Sequence, residues 1–307
     1  MPPPKLSILI VSWNCWPDVE RLLGSLEALS FQEFEVILVD NGSIDGTPER
    51  VEREFSGVRV ERNATNLGLP AAVNQGLRLV RGEFVMLLDA DTRLAPDAVE
   101  HLVRFMTERP DVSLCAGRIY TPQGEIEESA RSFPSWAAGL FGRQSRLTRL
   151  FPNNPFARRY LRRETLTNEQ PFRVEQVSAA CMFMRRELID QVGPWDEGFR
   201  CYWVDTDWCK QVARAGKIVY CVPAARVIHY ENNKAGRKKS PWRIWHFHMG
   251  AYRVYRKHDT WGALDPRALL ALAALMARAG SMLFSNLFVK DDPKASPMLA
   301  ERPEGGS

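Results

Sequence analysis

The sequence predicts an α/β chain built on a mostly parallel sheet with helices on both faces. Two observations carry that expectation. Short apolar runs at 6–12 (LSILIVS), 35–40 (EVILVD) and 83–89 (EFVMLLD) each end in polar residues, the mark of buried strands. Segments of helical character separate them, so strand and helix alternate four times, as in a sheet covered on both sides. The 307 residues, 45% hydrophobic and 25% charged, are enough for a sizeable core of ordinary globular composition.

In chain order, Leu22, Leu23, Leu26 and Leu29 follow the first run at helical spacing. The second run closes on the turn formers Asn41-Gly42, and Asp45 stands where it can cap a helix through about Phe55. A weaker strand over Val58–Glu61, a helix over 69–80, the strand at 83–89 and a helix from Pro96 to about Thr107 complete the alternation. Residues 121–172 are rich in Pro, Arg, Phe and Trp without a sustained period, and read as an inserted lid or acceptor loop. Order returns at 174–184, followed by a short helix to about Val192, the turn Gly193-Pro194-Trp195-Asp196, a helix from about Asp205 to Ala215, and strands near 217–222 and 225–229. The expected organisation is a main domain over 1–240 with an insertion at 120–173, a helical tail over 241–290, and a disordered end over 291–307.

The tail begins with a basic, aromatic helix at 241–258. It continues in a stretch at 264–289 that is apolar apart from Asp265, Arg267 and Arg278. Arg278 in mid-run argues against a spanning helix. A helix lying in the headgroup region and one packed on the main domain or on a second subunit, as in a homodimer, are both open.

A net charge of +4 does not by itself call for a polyanion, but eight arginines and no acid lie between Arg131 and Arg163, and nine Lys/Arg stand against Glu231 alone between Arg226 and Lys257. Anionic headgroups, phosphates or solvent would each suit these stretches. Nothing in the basic helix matches a nucleic-acid docking motif, so no nucleic-acid partner is expected. The six cysteines show no CxxC pair, and buried free thiols are expected rather than disulfides or zinc. With no signal-peptide pattern at the start, the expected compartment is the cytoplasm, with at most peripheral contact on the inner face of the plasma membrane.

Ligands of such sheets gather outside the carboxyl ends of the strands. Those ends carry Ser12-Trp13-Asn14, Asp40-Asn41-Gly42-Ser43 and Asp89-Ala90-Asp91. A lone DxD is a weak signal in a chain with 37 acidic residues, and Asp205-x-Asp207 is another. Context separates them. In extended backbone Asp89 and Asp91 face one side, whereas residues two apart at a helix start diverge by roughly 200°. Oxygen ligands at Asp89 and Asp91 suit Mg²⁺ or Mn²⁺. Asp40 at a strand end can accept hydrogen bonds from a nucleobase or ribose, and Gly42 permits close backbone approach. Asn66, Gly68 and Asn74 add groups near the same edge, with Arg62 a candidate base or ribose contact. Asp205 suits either a general base or an N-cap. His229, closing ARVIH, suits an added metal ligand.

These pieces occur in one order, and over about residues 5–258 the chain resembles glycosyltransferase family 2. The carriers are SILIVSWNCW (7–16), EVILVDNGSIDGT (35–47), NLGLPAAVNQGL (66–77), GEFVMLLDAD (82–91), VSAACMFMRREL (177–188), GPWDEGF (193–199), YWVDTDWCKQVARAG (202–216) and VIHY (227–230). The flavour is rhamnosyltransferase-like. The resemblance implies a GT-A fold and a nucleoside-diphosphate sugar donor, dTDP- or UDP-linked. It implies a glycan or lipid-linked acceptor. It would give Asp40 to the base of the donor and Asp89 to its ribose, Asp91 and His229 to the metal, and Asp205 to the acceptor's proton. The stretch 178–181 with Ala180, the turn at Trp195 and Asp196, and neighbouring Trp203 would shape the acceptor pocket. Many relatives carry an acid where this chain has Val204. Two other readings stand beside an inverting transfer to a hydroxyl: a polyprenyl-phosphate sugar synthase, which needs no base, and a sugar-nucleotide-binding protein without turnover.

Overall fold

The computed structural model describes residues 3–134, 150, 155–162, 165–230, 240–262 and 265–287. The expected disordered end at 291–307, most of the insertion's centre with Arg143, Arg146, Arg149 and Arg163, and the basic segment 231–239 lie outside the described residues.

Strands β1 (Leu6–Ser12), β2 (Phe34–Asp40), β3 (Val58–Arg62) and β4 (Phe84–Asp89) run parallel in the order β3-β2-β1-β4. Helices α1 (Trp16–Glu27), α2 (Thr47–Glu54) and α3 (Leu69–Leu77) connect them. Both faces of the sheet are apolar. Leu6, Ile8 and Ile10 of β1 join a core with α1, while Leu9 packs with Ile37, Val39 and the α3 residues Ala72 and Val73 on the other side. Burial of each such aliphatic side chain is worth roughly 1.5–3 kcal/mol.

The second half is mixed. It comprises β5 (Thr92–Leu94), α4 (Ala98–Glu108), β6 (Val112–Tyr120), α5 (Pro155–Leu161), β7 (Phe172–Val174), β8 (Cys181–Arg185), α6 (Glu187–Val192), α7 (Val204–Arg214) and β9 (Ile218–His229). The sheet order is β3-β2-β1-β4-β8-β6-β9-β5, with β7 on β9. β8 is antiparallel to both β4 and β6, and β5 and β7 are antiparallel to β9.

Several expectations shift. The run at 174–184 divides into β7 and β8, with 175–180 crossing between them. The two strands foreseen at 217–222 and 225–229 are one strand. A register shift against β6 between Gly117 and Arg118 accommodates Pro223, which cannot donate to the ladder. Gly117 is required there, because a Cβ would lie 2.6 Å from the Ala225 carbonyl oxygen. Pro96 precedes α4 rather than opening it. Asp45 does not cap its helix from the N-cap position, which Gly46 holds at φ +81°. Its carboxylate instead accepts from Thr47 N at 3.0 Å and from Trp16 N at 3.2 Å, joining the starts of α2 and α1.

Helix α8 (Pro241–Asp259) packs on the main domain, and α9 (Pro266–Asn286) packs on α8. The α9 helix is long and apolar enough to cross a membrane by length and composition. Its Leu269, Leu270, Phe284 and the following Leu287 are exposed. All six cysteines are free, four of them buried.

Candidate active site

Three side chains converge beyond the carboxyl end of β4. Thr92 pairs with His229 across the β5–β9 ladder, and Tyr230 N donates to Asp91 O at 2.8 Å, which sets Asp91 beside His229. Thr92 Oγ1 donates to Asp89 O at 2.7 Å, closing the turn that keeps both carboxyls on one side. One ligand atom from each of Asp89, Asp91 and His229 lies within 4.8 Å of the others. His229 Nε2 is 3.2 Å from Asp91 Oδ1, and its Nδ1 is 2.9 Å from Glu127 Oε2. Sequence reasoning missed Glu127. It lies in the irregular stretch after β6, a strand that was itself overlooked, and no periodic signal marks it.

The electrostatics suit a cation. Burial, and then the charge of Asp91, push the Asp89 carboxyl up to about 7, with Asp205 and Glu127 adding and His229 offsetting part. Burial disfavours the charged form of His229. Hydrogen bonds to Asp91 and Glu127 and the charge of Asp89 outweigh it and raise the imidazole to about 11. A proton thus occupies the position that a divalent ion would take, and a mixed oxygen–imidazole set fits Mn²⁺ or Mg²⁺. Asp89, expected as a ribose contact, stands with this group.

The strand-end turns are tightly built. Asp40, 2% exposed, accepts from Ser12 Oγ at 3.0 Å, Ser43 Oγ at 2.6 Å and Ser43 N at 2.8 Å. Asn14, at φ +50°, accepts from Ile44 N at 2.8 Å. Asn41 accepts from Leu67 N at 3.0 Å and donates to Asn66 at 3.0 Å. Gly42 has φ +81°, and a Cβ there would meet the Thr65 backbone at 2.7 Å. Gly68 N donates to Asn66 at 2.9 Å. Ser12, Asn14, Asp40, Asn41, Gly42, Asn66 and Gly68 therefore form one hydrogen-bonded rim beside Ala90, which is 8% exposed.

Other expected contact residues have partners within the fold. Asn74 spends its amide on Trp195 N at 2.8 Å, Trp195 O at 2.9 Å and Glu197 at 2.9 Å, and so anchors the 195–197 turn. Arg62 is paired with Glu49 and Glu52 of α2 at 2.5 and 2.7 Å. Trp195 is 1% exposed and packs on Trp208, and Asp196 is tied to Arg253 and Lys257 of α8. Trp195 is thus core packing and Asp196 an ion-pair partner of α8.

Asp205 and Asp207 diverge as helix geometry demands. Asp207 is 0% exposed and pairs with Lys257 at 2.8 Å and His258 at 2.7 Å. Asp205 is half-buried, accepts from Thr206 N at 2.7 Å, and acts electrostatically on Asp89 and Arg131. The preceding Trp203 adopts φ +72°, a strained backbone for a non-glycine residue. It is held by Phe247, 5.3 Å away, and by Gly250, where a Cβ would come within 2.9 Å of Tyr202 O. Val204 is 1% exposed within the α3-side core, so that position faces apolar packing. Ala180 is 0% exposed, and its carbonyl accepts from Asp89 N at 3.4 Å, placing the 178–180 segment directly behind the acidic turn.

Residues 7–193 match the model of glycosyl transferase family 2. The chain belongs to glycosyltransferase family 2. It is an enzyme of that family, a glycosyltransferase. It is 28% identical over 293 residues, 92% of this chain and 94% of the relative, to the N-acetylglucosaminyl-diphospho-decaprenol L-rhamnosyltransferase of Mycobacterium tuberculosis. The mannosyltransferase PcManGT of Pyrobaculum calidifontis, in complex with GDP-Man and Mn²⁺, superposes with a TM-score of 0.59 at 18% identity, covering 97% of this chain and 79% of that one. GalNAc-T7 with UDP, GalNAc and Mn²⁺ superposes at 0.61 and 17% identity, covering 92% and 57%. These likenesses identify the GT-A fold.

Proposed function

We propose that this glycosyltransferase is metal-dependent and inverting, and moves a sugar, rhamnose by its likeness to the mycobacterial enzyme, from a nucleoside diphosphate to a hydroxyl of a lipid-diphosphate-linked glycan. The observation that carries the reading is the convergence of Asp89, Asp91 and His229 at the end of β4, with Asp205 a separate carboxylate close enough to act on Asp89.

In this reading Asp89, Asp91 and His229 hold Mn²⁺ or Mg²⁺, which offsets charge developing on the departing diphosphate. The rim built on Asp40 and Asn41 seats the nucleotide. Asp205 accepts the proton of the acceptor hydroxyl as the new bond forms opposite the leaving group, which inverts the anomeric configuration. The burial of Val204 supports Asp205 as the base, because position 204 serves the core. The enzyme would work in the cytoplasm, at the inner face of the membrane that carries its acceptor.

The test compares wild type with Asp205→Asn. Thermal shifts with UDP- and dTDP-sugars plus Mn²⁺ should be equal in both, while transfer falls by roughly 10²–10⁴ in the variant. Full transfer by Asp205→Asn would refute the base. Full transfer to a bare polyprenyl phosphate by the same variant would instead favour a synthase that needs no base.

A further inference from the structure

Among the described residues, one cation within electrostatic reach of the base has no counter-ion. Arg131 lies in the loop after β6, and its backbone is fixed to the segment that enters β8. Its N–H donates to Gln176 O at 3.0 Å, and its own carbonyl accepts from Glu175 N at 3.2 Å and Gln176 N at 3.0 Å. The backbone that carries the side chain is therefore held from both directions. Its guanidinium meets Tyr160, with Nη1 3.4 Å from the phenol oxygen and the group 5.8 Å from the ring centre. Its Nε is buried and has no acceptor.

Other sequestered arginines of the described fold are satisfied. Arg118 donates to the Thr165 carbonyl at 3.3 Å and to that of Asn168. Arg185 donates to the carbonyls of Met106 at 2.6 Å and Val112 at 3.0 Å. Arg131 has neither carbonyl partners for its side chain nor a carboxylate within ion-pair distance among the described residues. The carboxylates whose charge reaches it are Asp205, Glu127 and Glu128. Two of these are engaged elsewhere, Asp205 with Thr206 N and Glu127 with His229. A planar guanidinium with an orphan buried donor, within electrostatic reach of the base, has the form of a receptor for a phosphate oxyanion.

We propose that Arg131 binds a phosphate oxyanion of the acceptor, the diphosphate linkage that joins its sugar to the lipid. This rests on the reading of the acceptor as lipid-diphosphate-linked. The donor's diphosphate is the other source of the same chemistry. It is already matched by the group at Asp89, Asp91 and His229 on the β4 side, whereas Arg131 is carried by the β6–β8 side and by α5 through Tyr160.

The experiment has separate arms. Inorganic pyrophosphate is titrated calorimetrically into wild type, Arg131→Gln and Arg131→Lys in EDTA, where no metal holds a diphosphate. Wild type should bind, and Arg131→Gln should bind at least about tenfold more weakly, the scale of one charge-assisted hydrogen bond. Arg131→Lys, which keeps charge but not the fork, should fall between. UDP with Mn²⁺ should bind all three alike, which also reports that they are folded. In steady state, Arg131→Gln should raise KM for a prenyl-diphosphate sugar by about tenfold or more and leave KM for an alkyl glycoside of the same sugar unchanged.

Equal pyrophosphate binding by wild type and Arg131→Gln would overturn the proposal. So would weaker UDP–Mn²⁺ binding, which would assign Arg131 to the donor. A shifted pH profile of kcat with unchanged KM would overturn it too, making Arg131 a positioning residue for Asp205. If wild type turns over neither acceptor, the reading of the reaction fails, while the pyrophosphate arm still decides on Arg131 by itself.

Discussion

The two halves of the sheet are held together differently. The half formed by β1–β4 is built from consecutive strand–helix units, and its rim closes through contacts among the strand ends themselves, as Ser12 and Ser43 do around Asp40. The half around β5–β9 is assembled from distant segments. His229 reaches Glu127, 102 residues away, and Asp207 reaches Lys257 and His258 in α8, 50 and 51 residues on. The lesson is a division of labour: the described ion pairs of α8, at Asp196, Asp207 and Lys210, all reach the second half, and the helix's Phe247 and Gly250 hold the Tyr202–Trp203 turn before Asp205.

The sharpest way to break that comparison is at the point where the halves meet. Asp91→Asn removes a carboxylate from the convergent group and should cost at least about 10³ in transfer and abolish tight Mn²⁺ binding, read by manganese electron paramagnetic resonance. Retained Mn²⁺ affinity would move the metal elsewhere.

Next is Asp207→Ala, which leaves Lys257 and His258 without their buried partner. It should destabilise the fold by ~3 kcal/mol, discounted because Lys257 is partly exposed, as measured by urea denaturation. Nucleotide binding by the folded fraction should remain normal. A loss of nucleotide affinity equal to that of Asp91→Asn would show that the halves are not separable.

A smaller effect belongs to Glu127. Its hydrogen bond to Nδ1 orients His229 so that Nε2 faces Asp91, and Glu127→Gln should weaken Mn²⁺ by about 10–100-fold, the usual cost of losing such a support. No change by calorimetry would make Glu127 a bystander.

The mildest is the pH dependence of Mn²⁺ affinity. His229, raised to about 11, holds a proton throughout the neutral range and must release it to bind metal. Asp89, raised to about 7, holds a second one only below that value. Affinity should therefore climb with pH, by about tenfold per unit above pH 7 and more steeply below it. A flat profile between pH 6 and 8.5 would mean that His229 is not a ligand.

Much of the β1–β4 half was legible in the sequence because its signals are local. A buried strand needs an unbroken apolar run, and a tight strand-end turn needs residues such as Asn41-Gly42. The DxD at 89–91 stood out for the same reason: extended backbone alone sends both carboxylates one way. The second half was read less well. β6 and β5 were overlooked and β9 was divided at Pro223, and in both halves site-like residues such as Asn74, Arg62, Trp195 and Asp196 have partners within the fold. Nothing in the neighbourhood of a side chain in sequence tells whether a residue 121 positions away will take its hydrogen bonds, as Trp195 does with Asn74.

By itself, then, the order of motifs determined the α/β class, the alternation of the first four strands, and Asp89, Asp91, His229 and Asp205 as the residues to watch. These follow from periodicity, from backbone direction and from the resemblance. Only the tertiary structure decided that Glu127 braces His229, that Asp207 is a buried ion-pair partner while Asp205 acts electrostatically on Asp89, that Val204 serves the core, and that Arg131 stands without a counter-ion among the described residues. Each of these depends on which distant segments are brought together. That is settled by the packing of both sheet faces, and local pattern carries no record of it.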